Sequence, residues 1–110
     1  DLHSLRRRQR QMCIRDREII YVDGFGNLIT SISAEDLKDL GVFEGDILEV
    51  KLGGKTFKLK FCSAYGEVEV GRPLAIINSF NLLEIAINQG SASNFFGVNI
   101  NSKIRVSVKR

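Results

Sequence analysis

Asp23, Asn27, Ser79, Asn81 and Asn88 are short polar residues placed where apolar runs stop, with glycines at 24 and 26 beside the first two and at 90 close to the last. Glycine lets backbone approach a ligand closely, and polar side chains in such loops can converge on what binds there. The chemistry on offer is hydrogen-bonded recognition with one negative charge at Asp23. The chain shows no Ser/His/Asp set, no carboxylate pair in an evident pocket, no glycine-rich phosphate cradle ahead of a helix and no Cys or His cluster with metal-ligand spacing. Each polar residue also has a plainer reading. Asp23 and Asn27 can be turn formers, Asn78 to Asn81 a hairpin turn, and Asn88 the exit from a strand.

The elements that must position these residues are short. EIIYVD (18–23) and LITSI (28–32) read as strands around the Gly24 and Gly26 turn. Ser33 with Asp36 forms an acidic capping box and Gly41 a C-terminal stop, which predicts one short helix between them. DILEVKL (46–52) and KTFKLKF (55–61) alternate with period two across Gly53 and Gly54, a pair suited to a two-residue hairpin turn. That loop length sets Leu52 against Lys55, Val50 against Phe57, Leu48 against Leu59 and Glu49 against Lys58, so one face is apolar and the other holds an opposite-charge pair. RPLAIINS (72–79), LLEIAIN (82–88) and KIRVSVK (103–109) complete the strands, the last with Ile104, Val106 and Val108 inward. Ser91 can cap a second short helix ending at Gly97, with Phe95 and Phe96 closing one end of the core. The expected fold is all-β, a small antiparallel barrel or sandwich of about seven strands with one or two short helices.

With 110 residues and 44% hydrophobic content the chain fits one small domain. It has no apolar run long enough to span a bilayer and no secretory signal pattern, so the default expectation is a cytoplasmic protein without membrane contact. Cys13 and Cys62 support neither a disulfide framework nor a zinc site, and Cys62 reads as a core residue. The net charge of +3 is unevenly held. Six arginines against two aspartates give residues 1–17 a charge of +4, which leaves −1 for residues 18–110 and argues against a nucleic-acid partner. Residues 1–17 lack strand or helix period, and Met12 to Arg17 resembles the translation of a transposon adaptor used to prepare sequencing libraries. They are expected to be a disordered, non-native leader from adaptor read-through, which removes His3 as a catalytic candidate and implies a missing N-terminal part.

The segments YVDGFGNLIT (21–30) and LAIINSFNLLEIAINQGSA (74–92) resemble the two signature stretches of the C-terminal domain of the S-adenosylmethionine (SAM) hydroxide adenosyltransferases, relatives of SAM-dependent fluorinating and chlorinating enzymes. With the helix and hairpin between them, the likeness covers residues 18–110. The resemblance implies a SAM hydrolase in which hydroxide attacks the ribose C5′ and expels methionine, giving adenosine. It implies a chain with no catalytic residue and no cofactor, SAM being the substrate. The nucleophile machinery would belong to the N-terminal domain, and the site would lie at a subunit interface of a homotrimer.

By position, the resemblance makes Phe25 the aromatic lining of an adenine pocket, Asn27 the base-edge partner and Asp23 the partner of the methionine ammonium. Ser79 and the backbone of Phe80 would hold the carboxylate, Asn88 and Gln89 would meet the adenine, and Tyr65 would be a second stacking aromatic. Gly24 stands where many members have arginine, and Phe80 and Ile87 where the fluorinating enzyme carries arginines, which implies hydroxide use over halide. The competing reading is a small β-barrel that binds RNA or protein through the same rim, favoured if the basic leader is genuine.

Overall fold

Residues 13–108, those described by the computed structural model, form seven strands: β1 Cys13–Val22, β2 Leu28–Ser33, β3 Ile47–Leu52, β4 Lys55–Cys62, β5 Pro73–Ile77, β6 Leu82–Ile87 and β7 Lys103–Val108. Helix α1 (Ala34–Leu40) follows β2, and α2 (Ala92–Phe96) follows β6. The strands close into a barrel in the order β1-β2-β6-β5-β4-β3-β7. The β3–β4 register is the one the turn length demands, with Leu48 opposite Leu59, Glu49 opposite Lys58, Val50 opposite Phe57 and Leu52 opposite Lys55. Gly53 and Gly54 both take positive φ, 63° and 79°, as a tight turn between right-twisted strands requires.

One junction departs from the antiparallel expectation. β4 and β5 run parallel, with Phe61 opposite Ala75. A ring of seven strands must contain such a step, because directions cannot alternate all the way around an odd number. Residues 63–72 make the return along the outside of the barrel, with a 3-10 turn at Tyr65–Glu67. Their passage explains why PLAII and LLEIAI read as nearly continuous apolar runs. Ala75, Leu83, Ile85 and Ile87 belong to the central core, while Leu74, Ile76, Ala86 and Cys62 form a second cluster with Val68 of the covering segment.

The helices plug opposite ends. Ser33 Oγ accepts from Asp36 N–H at 3.1 Å and Asp36 Oδ2 accepts from Ser33 N–H at 2.9 Å, completing the capping box, and α1 buries Leu37 and Leu40. Ser91 caps α2, which buries Phe96 against Phe57 with ring centroids 4.7 Å apart; Phe95 instead stays half exposed at the rim. In β2 the buried Thr30 hydroxyl donates to Leu83 O (2.8 Å) and accepts from Ile32 N–H (3.1 Å), where the β2–β6 register shifts.

The expected disorder of residues 1–17 is corrected in part. Residues 1–12, His3 among them, lie outside the described residues. Residues 13–17 begin β1 and pair with β7, Cys13 opposite Ser107, Ile14 opposite Val106 and Arg17 opposite Ile104, around an irregularity where Asp16 has φ 59°. Ladder hydrogen bonds use main-chain groups, so an open edge on β7 can recruit a segment whose side chains carry no strand period. Arg17 adds a side-chain anchor: its Nη1 lies 2.6 Å from Asp36 Oδ2 and donates to Ser31 O at 3.3 Å. The ordered barrel therefore starts upstream of the composition break at residue 17.

Candidate functional site

The loop between β1 and β2 is organised by Asp23. Its Oδ1 accepts from the N–H groups of Phe25 (2.9 Å) and Asn27 (3.0 Å), and its Oδ2 accepts from Asn27 Nδ2 (3.0 Å). Asp23 and Asn27 are thus turn formers, as the plainer reading holds, and the same bonds fix both side chains in one geometry. Asn27 retains a second amide N–H and its carbonyl oxygen. Phe25, held at the loop tip, is 81% exposed.

Gly26 ties this loop to the N-terminus of α2. Its carbonyl accepts from Ser93 N–H at 2.8 Å, and its φ of 84° brings it so close to Ser91 that a Cβ would stand 2.1 Å from Ser91 Oγ. The contact closes one side of an open cleft of about 670 Å³ lined by Asp23, Phe25, Asn27, Tyr65, Ile87, Gln89, Gly90 and Ser91. Three chain segments meet there, and the volume falls in the range typical of small-molecule sites.

Five of the eight expected site residues, Asp23, Phe25, Asn27, Tyr65 and Gln89, line this cleft. Asn88 does not, and its amide fastens the covering segment to β6, donating to Val68 O at 2.7 Å. Ser79 and Phe80 sit in the β5–β6 turn, where Asn78 Oδ1 accepts from Phe80 N–H at 2.9 Å and Asn81 takes φ 63°. That turn lies at the far end of β6, whose five residue steps separate it from the cleft by about 17 Å. Within this chain the two groups do not converge.

Glu84 has no assigned role in the sequence reading, although a lone charge inside the apolar run LLEIAIN was the available signal. Its side chain alternates with the core-facing Leu83 and Ile85, so it points outward with Ala86. Ile29 and Ile76 flank it across the sheet, and it is only 5% exposed. Its Oε2 accepts the Tyr65 hydroxyl at 2.6 Å. Burial, the Glu84 hydrogen bond and the nearby charges of Glu84 and Asp23 together push the Tyr65 phenol up to about 12. Tyr65 is therefore a neutral donor at any physiological pH. No group of three or more His, Cys, Asp or Glu positioned to hold a metal occurs among the described residues.

The fold and site define a class: a small closed β-barrel whose rim carries a cleft lined by aromatic and amide side chains. Residues 17–105 match the SAM hydroxide adenosyltransferase C-terminal domain. The chain is 33% identical over 89 residues to the (R)-S-adenosyl-L-methionine hydrolase of Thermus thermophilus, covering 81% of this chain and 31% of that protein. A crystal structure of an uncharacterized conserved protein from Thermotoga maritima superposes with a TM-score of 0.79 at 34% identity, covering 83% of this chain and 35% of the other. The crystal structure of a conserved hypothetical protein from Thermus thermophilus gives 0.59 at 29% identity, over 86% and 35%. The chain belongs to the SAM hydroxide adenosyltransferase C-terminal domain family. It spans about a third of the length of these relatives.

Proposed function

We propose that this domain is the adenosine-holding part of a SAM hydrolase that yields adenosine and methionine. The observation that carries the reading is the convergence of Phe25, Asn27, Tyr65 and Gln89, from three segments, on one cleft. Phe25 and Tyr65 offer ring surface to a purine. An Asn or Gln amide presents a donor and an acceptor side by side, which matches an adenine edge. Asp23 places a carboxylate beside them, to accept from the methionine ammonium.

The domain's contribution to rate is then positional. Hydroxide attack at C5′ needs the ribose carbon held in line with its sulfonium leaving group, and fixing the adenosine end supplies part of that orientation. The nucleophile and the groups that activate it come from an N-terminal domain, and the exposed cleft is completed by a second subunit in a homotrimer. The separation of Ser79 and Phe80 from the cleft fits such an arrangement if they serve the carboxylate from another protomer's barrel.

The division of labour is tested by assaying the chain alone for conversion of SAM to adenosine and methionine. No turnover is expected. Product formation by protein free of contaminating enzyme would overturn it.

A further inference from the structure

Tyr65 lines the cleft, and its hydroxyl is engaged by Glu84 of β6. The 2.6 Å hydrogen bond to Glu84 commits that proton to the barrel wall. Glu84 occupies the centre of a cross-strand row running Tyr21, Ile29, Glu84, Ile76, in which its neighbours on both sides are isoleucines. A carboxylate in such surroundings is expensive to bury unless a donor satisfies it. The Tyr65 hydroxyl is the partner seen, so the pair holds both members in one geometry.

We propose that Glu84 is a positioning residue of the cleft: by accepting the Tyr65 hydroxyl it fixes that ring as a wall, so Tyr65 offers a ligand its ring and not its hydroxyl. The inference rests on the base-binding reading above. Polar selection then falls to Asn27 and Gln89, and the cleft favours flat bases over ligands that need a phenol donor. A Tyr65 ring freed from Glu84 would still be present but would no longer be held in register with the Asp23–Asn27 loop.

The test uses the whole chain with Tyr21→Phe, which leaves Tyr65 as the single tyrosine of the two present. Tyrosinate absorbance is followed against pH, and adenosine affinity is measured separately for Glu84→Gln, Glu84→Ala and Tyr65→Phe in the unmodified chain. Glu84 and Asp23 are the charged groups acting on the phenol. Ionisation near 12 is expected with Glu84 present, moving down towards the ordinary value in Glu84→Gln, where burial still acts but the charge does not. Adenosine affinity should fall about tenfold in Glu84→Ala and in Tyr65→Phe, and Glu84→Gln should recover most of it because an acceptor remains. Unchanged affinity in both Glu84→Ala and Tyr65→Phe overturns the proposal, as does an ordinary phenol ionisation in the presence of Glu84. A chain that binds no adenosine while its phenol still ionises near 12 overturns the base-binding reading and leaves the Glu84 anchor supported.

Discussion

Gly26 and Ser91 are in such close contact that no other residue type fits at position 26: a Cβ there would lie 2.8 Å from Ser91 Cβ and closer still to its hydroxyl. This contact locks the β1–β2 loop to the N-terminus of α2 and gives the cleft its shape. Gly26→Ala carries both a positive-φ penalty and a steric clash, so a loss of about 1–3 kcal/mol is expected in urea unfolding. Ser91→Gly in the same chain should restore part of that loss. Purely additive effects would show that the two residues do not share the contact.

Phe25 separates recognition from folding. Its side chain is mostly in solvent, so Phe25→Ala should leave the melting temperature unchanged within error. Base stacking on an aromatic is worth about 1–3 kcal/mol, and the same variant should lose roughly tenfold or more in adenosine affinity. For a full-length protein carrying this domain, the proposed function predicts a raised KM for SAM. Asn27→Ala should weaken binding and stability together, because Asn27 also holds Asp23.

Arg17 and Asp36 make the N-terminal part of β1 part of the fold. The Arg17 hydrogen bond is the main reason the Asp36 carboxyl titrates below its ordinary value, with the Ser33 contacts adding to it against a smaller opposing effect of burial. A depressed folded-state value means the stabilisation is fully present above about pH 4, the unfolded carboxylate value, and is lost as pH falls through the folded one. Arg17→Ala should therefore cost about 0.5–1 kcal/mol at pH 7, a modest figure because the pair is partly solvated, and the difference from the parent chain should shrink as the pH falls below the ordinary carboxylate value. A difference that persists undiminished at low pH would assign the effect to packing.

The β5–β6 turn offers a negative control built into the geometry. Ser79→Ala and Phe80→Ala are expected to leave adenosine binding by this chain unaltered, since the turn and the cleft occupy opposite ends of β6. A loss of adenosine affinity in either variant, measured by calorimetry, would require the two ends to communicate.

Much of the fold could be read locally. The capping box at Ser33 and Asp36, the Gly53–Gly54 turn and the β3–β4 register each follow from residues a few positions apart, and all occur in the structure. The parallel β4–β5 step has no local signature, because it arises from closing an odd-numbered ring. Pairing of Cys13–Arg17 was hidden for a related reason: the ladder recruits main chain, and only the pattern of side chains is visible in a sequence. Asp23, Phe25 and Asn27 were legible as one motif. Glu84 was visible as an isolated charge, but its hydroxyl partner lies 19 residues away in a turn whose path over the barrel no periodicity records.

Whether the rim cleft holds the adenosine end of SAM is decided by a 15N-resolved amide titration of the chain with adenosine. Shifts are predicted to concentrate at residues 23–27, at Tyr65 and at 87–91, saturating together, with the 78–81 turn unmoved. Absence of saturable shifts at millimolar adenosine, or shifts centred away from those residues, would contradict it.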